Sequence, residues 1–73
     1  MTQPVVNLEA EEAVLGAALM SRQALAQVMH LQVQDFYSES NRVVFGAIQA
    51  MVAQREPIDA ITVWAHLVAT NAH

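Results

Sequence analysis

The sequence predicts an all-α domain, a small bundle of four main helices with no sheet. Three observations support this prediction. Apolar residues recur at helical spacing in four successive segments. A residue that can cap a helix precedes each segment. The one stretch with strand-like alternation, LQVQ, has no second strand with which to pair. The 73 residues suffice for one domain, and we assign residues 1–6 to an N-terminal arm and residues 7–73 to the globular helical part.

The first helix is predicted over residues 8–20. Asn7 is a credible N-cap, because its side-chain oxygen can accept a free amide hydrogen of the first turn. Three acids follow at positions where the helix dipole favours negative charge, each worth about 0.3–1 kcal/mol when exposed: Glu9, Glu11 and Glu12. Pro4 and the valines beside it argue against an earlier start.

The middle of the chain predicts a short helix, a connector and a long helix. Ser21 caps the short helix, which ends at about residue 30. Residues 31–38 are a tight connector from which Phe36 and Tyr37 reach the core. The third helix runs over residues 39–54, with Ser38 as its cap and a buried face of apolar residues: Val44, Phe45, Ile48, Met51 and Val52.

A fourth helix follows the REPID segment, because Pro57 interrupts the third. Asp59 is its predicted N-cap, and Ile58 and Val63 are placed to form a hydrophobic staple across the helix start. Its apolar side is predicted from the residues at helical spacing: Ile61, Trp64, Leu67 and Val68.

Gly16 and Gly46, the only two glycines, each lie inside a predicted helix. A glycine there costs roughly 1 kcal/mol relative to alanine, so a compensating reason is expected. We predict that the first and third helices cross closely at these two positions. The alternative is that the glycines are simply tolerated.

Composition points to contacts with other proteins rather than with nucleic acid or membrane. Apolar residues make up 55% of the chain and charged residues 14%, which favours surplus apolar surface that a partner covers. The net charge is −4, with three scattered arginines and no lysine, so direct nucleic-acid binding is not expected. No apolar run is long enough to span a bilayer and no basic flank opens the chain. We therefore expect a cytoplasmic protein.

Three blocks of sequence resemble one known family. The segments NLEAEEAVLGAALM, DFYSESNRVVFGAI and EPIDAITV are similar, in order and spacing, to the N-terminal domain of the DnaB-type replicative DNA helicases. The resemblance covers about residues 7–68. The sequence departs from the family pattern at Asn41, where a histidine is common, and at Trp64, where a small residue is common. A C-terminal helical hairpin usual in that domain is expected to be missing here.

The resemblance implies a non-catalytic interaction and oligomerisation domain of the primosome. In that family the domain forms a collar on the hexameric helicase, associates with itself, and docks the C-terminal domain of primase or a loader or regulator protein during DNA replication. ATP and Mg²⁺ belong to a separate motor domain of the parent helicase. An alternative is a stand-alone protein that mimics the collar and regulates a resident helicase.

No enzyme is predicted for this chain, and no cofactor. A P-loop requires a lysine, which the chain lacks. His30, His66 and His73 are too dispersed to suggest a metal site, and no nucleophile and base form a recognisable set. We predict instead that partners contact the acids of the first turn and the apolar side of the fourth helix, and the candidate residues are Glu9, Glu12, Trp64, Leu67 and Val68.

Overall fold

The computed structural model describes residues 7–70. Its helices are α1 (Leu8–Met20), α2 (Arg22–Val28), α3 (Glu39–Ala53) and α4 (Ala60–Thr70), with a short 3-10 helix over Val33–Asp35. This part of the chain contains no strand, so the prediction of four helices without a sheet is confirmed. The arm predicted over residues 1–6 lies outside the described residues, as do residues 71–73.

Side-chain caps begin α1 and α2. Asn7 Oδ1 accepts a hydrogen bond from the Ala10 amide at 2.9 Å, and Ser21 Oγ accepts one from the Ala24 amide at 3.2 Å. Each bond satisfies an amide that has no partner within its own helix. Ser21 also ends α1, because its amide donates to the Ala17 carbonyl at 3.0 Å. α2 stops at Val28, short of the predicted end near residue 30.

Side-chain caps also begin α3 and α4. Ser38 Oγ accepts from the Asn41 amide at 3.3 Å. At α4 the bonding is reciprocal: Asp59 Oδ1 accepts from the Thr62 amide at 2.8 Å, and Thr62 Oγ1 accepts from the Asp59 amide at 2.9 Å. Two amides are thereby satisfied at once, as in a capping box. The entry of the chain into α4 is thus well defined.

The core lies between α1, α3 and α4 and is closed by the connector. Phe45 and Ile48 of α3 are fully buried, and the Phe45 ring packs against the Phe36 ring with centroids 4.9 Å apart. Phe36 therefore plugs the core from the connector as predicted, whereas Tyr37 beside it is 65% exposed. The other buried apolar residues of this cluster are Leu15, Ala47, Met51 and Val63.

The apolar side predicted for α4 is mostly exposed, and only part of it packs on the core. Only Val63 is buried in this helix, and Leu67, one turn later on the same face, is half-buried against the core. Ile61, Trp64 and Val68 point to solvent instead. The polar residues Thr62, His66 and Thr70 recur every fourth position along α4, so the sequence does mark an apolar face, but only the edge of that face, at Val63 and Leu67, packs on the core.

Arg55 ends α3 in a left-handed conformation, with φ 61°. The Glu56 amide donates to the Met51 carbonyl at 2.9 Å, and the Arg55 amide donates to the Val52 carbonyl at 3.0 Å. These two bonds define a Schellman motif, whose left-handed position is usually glycine. The motif turns the chain toward Pro57 and α4.

The expected close crossing of α1 and α3 at Gly16 and Gly46 is wrong. A Cβ added to Gly16 would meet no atom within 4 Å, and one added to Gly46 would meet only Val33 Cγ2, at 3.7 Å. The small residues that are closely packed are Ala18 and Ala47, both buried. α1 and α3 do pack together, but no missing side chain is needed at either glycine.

Alanine at Gly16 should therefore stabilise the fold. Gly16→Ala removes the helix-propensity penalty and meets no neighbour, so the free energy of unfolding should rise by about 1 kcal/mol in urea denaturation. Ala13→Gly, at an exposed position of the same helix, is the matched control and should lower it by a similar amount. A destabilised Gly16→Ala variant would restore the close-approach explanation.

Candidate protein-interaction surfaces

The carboxylate of Glu11 joins α1 to the start of α3. Its Oε2 accepts from the Tyr37 amide at 2.8 Å, and its Oε1 accepts from Asn41 Nδ2 at 3.0 Å and from the Ser38 amide at 3.4 Å. Asn41 is the one buried polar residue of the described chain. This acid was counted among the first-turn charges by the sequence analysis, and its role in closing the fold was missed.

The same contacts hold the pKa of Glu11 below its ordinary value. The hydrogen bond from the Asn41 side chain contributes most, followed by the bond from the Tyr37 amide, while partial burial acts in the opposite direction. The Ser38 amide and the positive charge of Arg42 add smaller effects that also lower the pKa. The fold therefore favours the ionised carboxylate.

The lowered pKa of Glu11 predicts loss of stability in acid. Its contribution is complete above the pKa of the unfolded chain, about 4.3 for glutamate. It is lost as pH falls from there through the lower folded pKa, because the unfolded chain then binds the proton more tightly. Urea denaturation between about pH 6 and pH 3 should show a steeper decline for the parent chain than for Glu11→Gln. Glu12→Gln should keep the parent slope, and equal slopes in all three would contradict the prediction.

Two further bonds tie the connector to α3. Arg42 Nε donates to the Phe36 carbonyl at 2.6 Å, and Gln49 Nε2 donates to the Leu31 carbonyl at 3.2 Å. Both satisfy carbonyl groups that lie outside regular helices. The side chains of Arg42 and Gln49 thus hold the connector against α3.

Two other acids of α1 differ from Glu11 because they make no such hydrogen bonds. Glu9 and Glu12 are both exposed, one turn apart on the helix. Within residues 7–70 neither carboxylate has a hydrogen-bond or ion-pair partner. They give the start of α1 a negative surface that is available to a partner.

The outer face of α4 is apolar and exposed. We use the term α4 outer face for Ile61, Trp64 and Val68, which are 81%, 68% and 51% exposed. Their spacing of three and four residues places them in one row along the helix. α4 contains no Asp, Glu, Lys or Arg over Ala60–Thr70, so this row has no charged neighbours within its own helix.

The predicted contact residues therefore fall into separate groups. Glu9 and Glu12 lie on α1, which packs mainly on α2 and α3, whereas Trp64 and Val68 lie on α4, which packs on α3. Leu67 does not belong to the exposed row, because its side chain packs against the core. Ile61, which was not among the predicted contact residues, is the most exposed member of the α4 outer face.

The described residues offer no assembled metal site. No group of three His, Cys, Asp or Glu side chains within residues 7–70 could hold a metal ion. His30 and His66 lie in this range, and His73 falls outside it. None of the helices over residues 7–70 is long and apolar enough to cross a membrane.

Fold and surfaces together define a small all-helical domain with an exposed apolar helix face. The family model for the DnaB-like helicase N-terminal domain matches residues 3–73. A replicative DNA helicase DnaB from Mycobacterium leprae is 42% identical over 66 residues, covering 89% of this chain and 11% of that protein. The one from Geobacillus stearothermophilus is 35% identical over 69 residues, covering 93% of this chain and 15% of that protein. No solved structure gives a significant match.

The chain belongs to the DnaB-like helicase N-terminal domain family. It spans 11–15% of the length of the two relatives just described, both of them replicative DNA helicases. The resemblance read from the three sequence blocks is confirmed. The match is to the N-terminal domain, and the chain itself has no lysine for a P-loop.

Proposed function

We propose that this domain is a non-catalytic interaction and oligomerisation module of a replicative DNA helicase. It contributes to the N-terminal collar, associates with further copies of itself, and docks primase or a loader or regulator protein during DNA replication. Membership of the DnaB-like N-terminal domain family supports this assignment. The single structural observation that carries it is the exposed α4 outer face.

The α4 outer face supports self-association. A row of three large apolar side chains is costly to leave in water, and such patches are typical of protein contacts. Trp64 lies in the middle of the row, and tryptophan is enriched among the residues that dominate interface energies. The absence of charge from α4 allows two copies of a −4 chain to meet there without direct charge repulsion.

The first turn of α1 supports docking of a basic partner. Glu9 and Glu12 are exposed and make no hydrogen bond within the described residues, so their desolvation on binding would break no bond within this fold. A positively charged surface on the primase C-terminal domain would be attracted to these two carboxylates. This contact is separate from the α4 outer face and can be tested separately.

Light scattering of the chain alone and mixed with the primase C-terminal domain tests both parts. We expect a mass above that of the monomer at high concentration, reduced to the monomer in Trp64→Asp. We expect a complex with the primase domain that the double variant Glu9→Gln, Glu12→Gln weakens and that the control Glu39→Gln leaves unchanged. A monomer at every concentration, with no primase complex, would contradict the proposal.

A further inference from the structure

A cleft lies between the end of α1 and the loop from α3 to α4. Its volume is about 510 Å³, within the range of about 300–1,000 Å³ typical of ligand pockets. We call it the apolar cleft, because its floor consists of four half-buried apolar side chains that pack on the core: Leu19, Leu25, Val52 and Ile58. No residue of the α4 outer face lines it, so the cleft and the α4 outer face are separate surfaces of one copy.

Met20 lines the apolar cleft with most of its side chain in water. It is 89% exposed, followed by Ile61 at 81% and Trp64 at 68%, and these are the three most exposed large apolar residues that the structure describes. They belong to only two places, the apolar cleft and the α4 outer face. A methionine at such a rim is flexible enough to adapt to the shape of an incoming group.

The charges that line the apolar cleft cancel. Two arginines face two acids there: Arg22 and Arg55, with Glu56 and Asp59. The net charge of −4 is therefore carried by the rest of the chain, where it opposes contact between copies. α4 contains no Asp, Glu, Lys or Arg over Ala60–Thr70. The cleft and the α4 outer face are thus surfaces at which two copies can meet without net repulsion, and a neutral apolar cleft favours a neutral apolar occupant.

The α4 outer face is too small to hold two copies together by meeting a like face. A tryptophan supplies about 150–250 Å² at most. Trp64 is 68% exposed, and the other two side chains of the row are smaller. The three together fall short of the roughly 800 Å² per partner of a standard interface. A row that enters a cleft is contacted on several sides, so both the row and the cleft lining lose contact with water.

We propose that the apolar cleft of one copy receives the α4 outer face of a second copy, with Trp64 against the cleft floor and Met20. The contact joins two different surfaces, whereas a pairing of two α4 outer faces would join identical ones. The proposal rests on the proposed self-association and names the surface that receives the α4 outer face.

One variant on each surface tests the two halves of the contact. Met20→Lys places a charge in the cleft, and Trp64→Lys places one in the row; both positions are exposed, so circular dichroism should show the parent fold for both. Each variant alone should require at least tenfold higher concentration than the parent to associate in light scattering, because a charge in an apolar contact is costly to desolvate. Met20→Leu keeps the cleft apolar and should associate as the parent does. Val43→Lys makes the same charge change outside both surfaces and should have little effect.

Mixing the two variants tests whether the surfaces meet. The Met20→Lys chain retains the α4 outer face, and the Trp64→Lys chain retains the apolar cleft, so an equimolar mixture should form a dimer although neither variant associates alone. Both carry the same added charge, so no new ion pair can explain the recovery. Trp64 is the sole tryptophan, so indole emission from the mixture comes only from the Met20→Lys chain. Titration with the Trp64→Lys chain should shift this emission to shorter wavelength, and titration with the double variant Met20→Lys, Trp64→Lys should not.

The outcomes separate this proposal from the proposed function. If Trp64→Lys abolishes association while Met20→Lys associates as the parent does, the α4 outer face is a protein contact but the cleft does not receive it, and only the present proposal fails. It fails likewise if the mixture stays monomeric with unshifted emission, because two α4 outer faces would then meet each other. A parent chain that remains a monomer at every concentration would overturn both this proposal and the proposed self-association.

Discussion

Phe45→Ala should lower the free energy of unfolding by about 3–5 kcal/mol, the cost typical of removing a buried phenylalanine. Phe45 is fully buried and packs against Phe36, so the change leaves a cavity at the centre of the only core among the described residues. A chain of this length has a total stability of the same order, at about 0.05–0.15 kcal/mol per residue. We therefore expect the variant to be largely unfolded.

Circular dichroism during urea denaturation measures this effect. Val43→Ala is the matched control, since Val43 lies on the same helix and is 47% exposed; its effect should stay near 0.5 kcal/mol or below. A Phe45→Ala variant with the parent's helical signal and midpoint would show that the core does not depend on the ring pair.

Asn41→Ala is the second large effect expected. Its side-chain amide donates to the Glu11 carboxylate from a buried position, and hydrogen bonds to charged groups contribute about 1.5–3 kcal/mol. The free energy of unfolding at neutral pH should fall by that amount. The pKa of Glu11 should also rise toward its ordinary value, because its strongest hydrogen bond is gone.

The pH dependence tells this loss apart from a simple packing defect. The difference between the parent and Asn41→Ala should shrink in acid, where Glu11 is protonated and the bond to a carboxylate no longer exists. Ser40→Ala, at the exposed neighbouring position, should change neither stability nor its pH dependence. A constant difference at every pH would mean that Asn41 acts through packing alone.

Local signals in the sequence were sufficient to predict the helices. The start of α1 at Leu8 follows from Asn7 and the acids after it, and the structure has α1 over the predicted residues 8–20. Residues 31–38 were predicted to be a connector and not a strand, because the chain offers no second strand with which to pair. The structure has a 3-10 helix in this segment. Caps and turns depend on side chains a few residues away, so they can be read from neighbours in sequence.

Long-range contacts could not be predicted in this way. Glu11 bonds to residues 26 to 30 positions later, and nothing in the first turn distinguishes it from Glu9 or Glu12. The two glycines led to the prediction of a close helix crossing, but only the packed structure shows that Gly16 faces open space. The cleft between the end of α1 and the loop before α4 likewise combines residues from α1, α2, α3 and that loop, which no local pattern brings together.

The fluorescence of Trp64, the sole tryptophan, tests the central claim that the α4 outer face is a protein contact. Trp64 is 68% exposed in the isolated chain, so its emission at low concentration should be that of a solvated indole. We predict a shift to shorter wavelength as the chain is concentrated, because self-association removes water from the ring. An emission that stays unshifted at concentrations where light scattering detects an associated species, with Trp64→Asp associating as the parent does, would contradict it.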